Sequence, residues 1–430
     1  MDSFSAAKRA AGHLRRWLRS LPSSLWFWTT VATLTALRPI IHVRIATFNP
    51  TRIGEFICRI DMAIALVELH ESARSTRRRN FFIIPRSIAN EQVRLMYTRS
   101  LSSMPAIDLL DCRTSLLGRL LLDPARRVAS EFMATGRHSS LYCGEGAATM
   151  ETCGLRPSGR PLIQFTPAEL EQGWESLKRL GIDPSTKYVC LHVRDAAYLR
   201  QTQPARDWSY HDYRNPPVES YVPMVEQVLG RGYTVVRMGK FVEGPFPLRH
   251  DRLVDYSISG AQSDFLDVFL YAHATMAVAG SVSGIDQLGH AFNIPSVASN
   301  FIPFDDPRWA ADSALIIPAL VRDKGTGELL PLSKLLASRY GSARRYEEAG
   351  LAVVPNSPEE IAQAVLEGLQ RVERVWVETS EDTACQEAFW AWAEECGISA
   401  AVPSGPWDKD HYRARIGRHF LETHAHLLLK

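Results

Sequence analysis

Short, almost wholly apolar runs alternate with amphipathic stretches along most of this chain. Residues 39–48 and 80–85 are two such runs, typical of strands buried on both faces of a parallel sheet. Residues 53–69 lie between them and space their apolar side chains as a helix does. Residues 107–130, rich in Leu and Arg, predict another helix with a break at Pro124. The alternation predicts an α/β domain.

The same alternation returns after a loop-like stretch at residues 141–162 and a helix that starts with a capping box, Thr166-Pro-Ala-Glu169. Further strands are predicted at 188–193, 233–238, 276–279 and 296–298, and further helices at 218–229, 265–273, 285–292 and 357–372. The pattern divides the chain into an N-terminal segment, two α/β domains and a helical C-terminal segment, at residues 1–37, 38–180, 181–355 and 356–430. The presence of two such domains in one chain indicates that a ligand binds in the cleft between them.

The N-terminal segment predicts a basic amphipathic helix. Its cations are Lys8, Arg9, Arg15, Arg16 and Arg19. The apolar run that follows, residues 25–37, is shorter than the roughly 20 residues a membrane-spanning helix needs. Opposite the arginines, apolar side chains recur at helical spacing, and aromatic residues follow: Ala10, Leu14, Trp17, Leu18 and Leu21, then Trp26, Phe27 and Trp28. This pattern is typical of a helix lying in an anionic membrane interface. A helix packed on the protein's own surface is the alternative.

Composition and charge narrow the class of protein. The 430 residues are 46% hydrophobic with a net charge of +2, as expected of a folded globular enzyme. Residues 1–100 carry 16 Lys and Arg against 6 Asp and Glu. Positive charge confined to one end indicates a local anionic partner, and not a surface that binds nucleic acid along the whole molecule. The seven cysteines show no zinc-binding spacing and favour a reducing cytosol, so no metal site is predicted.

Polar residues follow the predicted strands, where an open α/β sheet binds its ligands. His192-Val193-Arg194-Asp195 comes directly after a strand, and Arg194 there can hold a diphosphate with two hydrogen bonds. Asp195 can orient that arginine or bond to a sugar hydroxyl. The loop His211 to Asn215 fits substrate contact and an irregular surface loop equally well.

A glycine- and serine-rich turn, Gly280-Ser281-Val282-Ser283-Gly284, follows the strand at 276–279. Small residues at a helix start offer backbone N–H groups to a phosphate, and Ser281 and Ser283 add hydroxyl donors. Plain N-capping is the alternative, with Asp286 complementing the helix dipole. No GxGxxG or GxxxxGK[ST] motif follows a predicted strand, which argues against dinucleotide oxidoreductases and P-loop NTPases.

In the first domain, the turn Arg52-Ile53-Gly54-Glu55 joins a strand to its helix. Gly54 occupies a tight backbone position, and the carboxylate of Glu55 can act as a general base on an acceptor hydroxyl. A helix-start glutamate favoured by the dipole is the alternative.

Together these residues resemble a bacterial family of GT-B glycosyltransferases over about residues 45–428. The matching motifs are Arg52 to Glu55, His192 to Asp195, His211 to Asn215, Val235 to Gly239, Asp264 and Asp267 with Gly280 to Gly284, and Ala414 to Glu422. The first is similar to the turn of heptosyltransferases that carries their catalytic base, and residues 264–295 are similar to their donor segment. His192 to Arg194 and Ser281 to Ser283 look like fucosyltransferase elements that bind a GDP-sugar. Many relatives have His at the position of Glu55, and Val282 interrupts the usual serine pair.

The resemblance implies two Rossmann-like domains facing each other across a cleft, with C-terminal helices packing back across it. It implies a metal-independent transferase without a cofactor, using a nucleotide-diphospho-sugar, with GDP slightly favoured. Glu55 and Asp195 are both candidates for the base, with Arg52 and Gly54 on the acceptor side. The implied donor-binding residues are His192, Arg194, Arg214, Asn215, Gly239, Lys240, Asp264, Ser281, Val282, Ser283, Gly284 and Asp286.

The acceptor class is a hydroxyl on a cell-surface glycan, a lipid-linked glycan or a natural product. The expected location is the cytoplasm, peripheral on the inner membrane face. A GT-B-shaped nucleotide-sugar epimerase and a non-catalytic glycan- or nucleotide-binding module are the alternatives.

Overall fold

The chain forms two compact units, residues 1–89 with 97–156, and residues 90–96 with 157–430. The computed structural model describes residues 23–71, 78–143, 161–302, 314–334, 340–395 and 414–428. The cations of the predicted basic helix therefore lie outside the described residues. The predicted α/β class is confirmed, because both units contain parallel strands connected by helices.

The described part of the first unit contains a three-stranded parallel sheet in the order β1-β2-β3. Its strands are β1 (His42–Thr47), β2 (Arg78–Ile84) and β3 (Ile107–Asp111). Its helices are α1 (residues 23–37), α2 (Ile53–Glu71) and α4 (Leu116–Thr135), and α3 (Glu91–Ser102) is shared between the two units. One core lies between this sheet, α1 and α4, and includes Phe27, Leu34, Ile45, Ile83, Leu121 and Val128.

The predicted single helix over residues 107–130 is wrong. The first five of these residues form β3, because a short apolar run does not by itself distinguish a buried strand from a helix. Pro124 also does not break α4, although proline cannot donate to the carbonyl of Leu120 one turn earlier. The indole N–H of Trp26 donates to that carbonyl instead, at 2.8 Å. Helix α1 thus supplies the hydrogen bond that the proline removes.

The second unit contains a larger parallel sheet in the order β12-β9-β8-β7-β4-β5-β6, beside an antiparallel pair β10-β11. The strands are β4 (Tyr188–His192), β5 (Thr234–Arg237), β6 (Leu253–Val254), β7 (Met276–Ala279), β8 (Ser296–Phe301), β9 (Ala314–Pro318), β10 (Leu320–Asp323), β11 (Leu351–Val354) and β12 (Arg415–Ile416). The α-helices are α5 (Pro167–Arg179), α6 (Ala197–Thr202), α7 (Val222–Gly230), α8 (Asp264–Ala272), α9 (Gln287–Ala291), α10 (Ala343–Glu348), α11 (Pro358–Val372), α12 (Ser380–Glu395) and α13 (Arg418–His424).

The four strands predicted for this unit are confirmed to within three residues at each end. Their residues are buried on both faces, so they read as continuous apolar runs. The strands β6, β9, β10, β11 and β12 were not predicted. Of these, β6 and β12 pair over two residues only, which leaves no periodicity to detect.

The helix α5 belongs to the second unit, so the predicted boundary near residue 180 lies inside that unit. The capping box of Thr166 and Glu169 is confirmed, with both reciprocal hydrogen bonds present. The helix packs on α8, where the rings of Trp174 and Phe269 are 5.1 Å apart. A Cβ on Gly173 would lie 2.0 Å from the ring of Phe269. The helices α11, α12 and α13 also group with this unit, and their predicted packing across a cleft stays a prediction.

We expect Gly173→Ala to destabilise the second unit. In a helix interior this change ordinarily stabilises by about 0.5–1 kcal/mol. Here the added methyl must displace the ring of Phe269, and overpacking costs roughly 1–3 kcal/mol. Denaturant unfolding should therefore show a net loss of stability, and Phe269→Leu in the same chain should recover part of it. The control is Gly230→Ala at the end of α7, where a Cβ meets nothing within 4 Å. A gain of stability in Gly173→Ala would contradict this packing.

Candidate functional site

The strand order of the second sheet selects one location for a ligand. From β4 the chain proceeds outward through β5 and β6, and then returns to the other side of β4 to form β7, β8 and β9. The order therefore reverses between β4 and β7. In open α/β sheets, ligands bind beyond the carboxyl ends of the strands at such a switch point.

His192 and Asp286 meet at this point. His192 ends β4, and its Nδ1 lies 3.7 Å from Oδ1 of Asp286, which follows β7. Within the described chain, this buried Nδ1 has no hydrogen-bond partner. Burial lowers the pKa of His192 to about 3, assisted by the charges of Arg194 and Arg237. The imidazole is therefore neutral at physiological pH.

Asp286 is also held in a desolvated position. Its Oδ2 accepts the backbone N–H of Ser283 at 2.8 Å, and its Oδ1 accepts the hydroxyl of Tyr271 at 3.4 Å. Burial raises the pKa of Asp286 to about 8, although Ser283, Tyr271 and two nearby arginines act in the opposite direction. A carboxyl group that stays protonated near neutral pH adds no repulsion toward an anion.

Ser281 is the second unsatisfied polar group of the site. It is fully buried, and its hydroxyl has no hydrogen-bond partner among the residues the structure describes. An unsatisfied buried hydroxyl is unusual in a folded protein and calls for an explanation.

Two arginines from separate loops lie around the turn at residues 280–284. Arg214 ends the 3-10 helix Ser209–Arg214 and donates to the carbonyl of Val282. Arg194 donates from Nε to Oδ1 of Asn215 at 3.1 Å. The loop at residues 211–215, for which the sequence left two interpretations open, thus lies against the serine turn through Arg214.

A buried hydrogen-bond network supports the turn from below. The hydroxyl of Tyr221 lies 2.7 Å from the carbonyl of Gly280 and 2.8 Å from Oγ of Ser299. The side chain of Asn300 donates to both the tyrosine oxygen and the same carbonyl. Asn300 in turn exchanges two hydrogen bonds with Asn356, at 2.6 and 2.7 Å. Sequence analysis missed all four side chains, because no motif links a tyrosine to asparagines 79 and 135 residues further on.

The helix predicted over residues 285–292 is confirmed in its position, but only part of it is an α-helix. Gly284–Asp286 form a 3-10 turn, and the α-helix α9 that follows has five residues. The backbone N–H of Ser283 is already bonded to Asp286. A dipole sums over aligned peptides, so this short helix contributes little field. The side chains of the site, and not the helix dipole, therefore provide most of the attraction for an anion.

Other predicted residues lie in structural contacts at the neighbouring strand ends. The two oxygens of Asp195 accept the backbone N–H groups of Ala197 and Glu243, at 2.8 and 3.1 Å. Lys240, next to Gly239 after β5, pairs with Asp264 at 3.3 Å. The other oxygen of Asp264 accepts the N–H of Glu91 at the start of α3.

In the first unit, Glu55 is oriented by its neighbours. It lies in the first turn of α2, one residue after the buried Gly54. One oxygen accepts from the side-chain amide of Asn49 at 2.8 Å, and the other accepts from Arg52 at 3.1 Å. Arg59, one helical turn later, lies 3.9 Å from the carboxylate. These contacts fix the direction of the Glu55 carboxylate.

A cavity of about 430 Å³ opens in the same unit, beyond the carboxyl ends of β1 and β2. It is lined by Thr47, Phe48, Asn49, Pro50, Thr51, Arg59, Pro85, Ser87, Arg126, Ala129, Ser130, Met133 and Tyr142. Glu55 does not line the cavity itself, but two lining residues, Asn49 and Arg59, contact its carboxylate. The volume is within the range of small-molecule sites.

Within the described ranges, no group of three or more His, Cys, Asp or Glu side chains is arranged to hold a metal ion. Across the same residues, every helix is too short or too polar to cross a membrane.

Three solved structures are similar to this chain. The glycosyl transferase family 9 structure from Veillonella parvula DSM 2008 has a TM-score of 0.43 at 13% identity, covering 76% of this chain and 97% of that one. The E. coli ADP-heptose LPS heptosyltransferase II has a TM-score of 0.37 at 16% identity, covering 76% and 98%. E. coli heptosyltransferase WaaC, solved with ADP-2-deoxy-2-fluoro heptose, has a TM-score of 0.25 at 11% identity. The match covers 59% of this chain and 88% of that one.

No family model matches the chain, and no curated protein matches it. The heptosyltransferases named in the sequence resemblance thus recur among the structural neighbours.

The buried Asp286 predicts a pH-dependent stability. Its pKa in the folded state lies far above the ordinary value of 3.8, so the folded chain holds this proton more tightly than the unfolded chain. The stabilisation of the folded state by this bound proton is fully present below pH 4. It is lost as the pH rises from there through about 8. Asp286→Asn removes this loss. Relative to wild type, the variant should gain roughly 2–3 kcal/mol between pH 6 and pH 8.5 in denaturant unfolding.

The control for that measurement is Glu226→Gln on the exposed face of α7. An unfolding free energy whose pH dependence is the same in wild type and Asp286→Asn would contradict the desolvated state of Asp286.

Proposed function

We propose that the protein is a glycosyltransferase that transfers a sugar from a nucleotide-diphospho-sugar to a hydroxyl acceptor. The observation that carries the proposal is the group of donors at the switch point of the second sheet. These groups lie around the turn at residues 280–284. They are two arginines, the buried hydroxyl of Ser281, which has no partner among the described residues, and the neutral imidazole of His192. A diphosphate is the ligand that best satisfies guanidinium and hydroxyl donors together.

In this reaction the bond between the anomeric carbon and the diphosphate oxygen breaks, and the acceptor oxygen forms the new bond. Negative charge accumulates on the leaving nucleoside diphosphate. Arg194, Arg214 and the hydroxyl of Ser281 are fixed donors that stabilise this charge as it develops. Because two guanidinium groups can supply the charge that a metal ion supplies elsewhere, we propose a metal-independent reaction without a cofactor.

The acceptor proton goes to Glu55. This role is supported by the contacts of its carboxylate with Asn49 and Arg59, two residues that line the 430 Å³ cavity, and by the hydrogen bond from Arg52 that orients it. Asp195, the other candidate, is less well supported because both of its oxygens already accept backbone N–H groups. The cavity of the first unit is then the acceptor site.

The nucleotide and the acceptor are finer proposals. The likeness of residues 192–194 and 281–283 to fucosyltransferase elements favours GDP-sugars, ahead of UDP- and dTDP-sugars. The acceptor is a glycan or lipid-linked hydroxyl, and the proposed location is the cytoplasm, at the inner face of the membrane.

We expect a nucleoside diphosphate to bind the purified protein in the presence of EDTA. A ligand that binds only the folded state raises the apparent stability, so GDP, UDP, dTDP and ADP can be compared by thermal shift, with Kd from calorimetry. Arg214→Ala should weaken binding at least about tenfold, because it removes a charge-assisted contact. The control is Arg344→Ala, whose side chain is 83% exposed on α10. Equal binding by both variants, or no binding of any nucleotide, would contradict the proposed donor site.

Glu55→Gln should lower kcat by about 10²- to 10⁴-fold, the usual contribution of a general base, while the Kd for the nucleoside diphosphate stays unchanged. Asp195→Asn in parallel assigns the base between the two carboxylates. Transfer is measured with the nucleotide-sugar selected by the binding screen and a pool of glycan acceptors. Sugar conversion without any acceptor would identify an epimerase. Full turnover in Glu55→Gln would remove Glu55 as the base.

A further inference from the structure

The helix α1 presents an uncharged surface where a soluble protein ordinarily places charges. Residues 23–37 contain no Asp, Glu, Lys or Arg. The inward face packs Phe27, Thr30 and Leu34 into the first unit. The outward face leaves Leu25 and Trp28 exposed by 71% and 50%. Large apolar side chains grouped on one exposed face mark an interaction surface.

The start of α4 extends this surface. Leu116, Leu117 and Leu120 are exposed by 63%, 45% and 46%. The hydrogen bond from the indole of Trp26 to the carbonyl of Leu120 fixes the two helices against each other at this place. The exposed apolar residues therefore belong to two helices that are in contact at Trp26 and Leu120. We call the group Leu25, Trp26, Trp28, Leu116, Leu117 and Leu120 the Trp26 surface.

Cations accompany the Trp26 surface. The guanidinium of Arg127 lies 4.2 Å from the ring centre of Phe27 and 5.8 Å from that of Trp28. Arg119 is exposed on α4, where Arg126 pairs with Asp123 at 3.5 Å and Arg127 pairs with Glu131 at 2.9 Å. In the sequence, Arg38 follows α1, and five further cations precede it within residues 1–22 against one acid, Asp2.

We propose that the Trp26 surface docks the first unit on an anionic lipid bilayer. Leucine side chains enter the boundary between headgroups and acyl chains, and the tryptophans lie at the depth where their amphipathic rings are favoured. Arg119 and the excess of cations over acids in residues 1–38 attract anionic headgroups, and each cation near the surface adds to the attraction. The surface would act as a peripheral anchor, and it depends on no step of the proposed transfer reaction.

A second copy of the chain fits this surface less well. In a two-fold dimer the same patch faces itself, so Arg119 and the net positive charge of residues 1–38 would approach their own copies. Like charges brought together in this way oppose association. An anionic lipid surface satisfies both the apolar side chains and the cations.

The test is co-sedimentation of the full chain with phosphatidylcholine vesicles, with and without phosphatidylglycerol. Wild type should bind the vesicles that contain phosphatidylglycerol and be released as salt rises. Leu25→Ser with Leu116→Ser removes two apolar side chains from the most exposed positions of the Trp26 surface. This double variant should lower the partition coefficient by at least about tenfold, since each leucine contributes a favourable burial term.

The matched control is Ile258→Ser with Val377→Ser, which removes exposed apolar side chains of the second unit, 54% and 77% exposed. It should bind vesicles as wild type does, and all variants should keep their thermal unfolding midpoint and nucleotide affinity.

Three results would overturn the proposal. One is the absence of binding to anionic vesicles. Another is a self-association of wild type without lipid that the Leu25→Ser, Leu116→Ser variant abolishes, which would assign the surface to a second copy. The third comes from replacing the five cations of residues 1–22 by Gln. If that variant loses binding while the double leucine variant retains it, the N-terminal cations bind lipid without the Trp26 surface.

Discussion

The hydrogen bonds beneath Gly280 are the constraint on which the proposed site depends. The carbonyl of Gly280 lies among Tyr221 and Asn300, and Asn300 is locked by its paired bonds to Asn356. A Cβ at Gly280 would lie 2.9 Å from the hydroxyl of Tyr221 and 3.0 Å from the Cα of Val193. The turn after β7 can therefore approach the end of β4 only because this residue is a glycine.

That close approach has chemical consequences on both strands. It brings Asp286 against His192 and buries the hydroxyl of Ser281. Burial then holds both titratable groups in their neutral forms near pH 7, so the fixed charges facing the turn are those of the arginines. We assign a diphosphate to the turn at residues 280–284 for two reasons. Hydrogen-bond donors there lack partners, and guanidinium groups supply positive charge at the point where the strand order reverses.

Much of this fold could be predicted from the sequence, because its central strands are continuous apolar runs and its helices carry caps. Residues 276–279 and the box at Thr166 are examples. Interactions between distant residues could not be predicted. The proline in α4 is tolerated because an indole 94 residues earlier in the chain bonds the carbonyl it leaves open. The site shows the same limit, since its predicted loops meet as expected while the tyrosine and asparagines beneath them carry no local signal.

The central claim is that the turn at residues 280–284 binds a diphosphate. A crystal structure of the protein with a bound nucleoside diphosphate tests it most directly. The account predicts diphosphate oxygens within hydrogen-bond distance of the Ser281 hydroxyl and of a guanidinium from Arg194 or Arg214, with Nδ1 of His192 no longer unsatisfied. A nucleotide bound elsewhere, such as in the cavity of the first unit, with Ser281 still unpartnered, would contradict it.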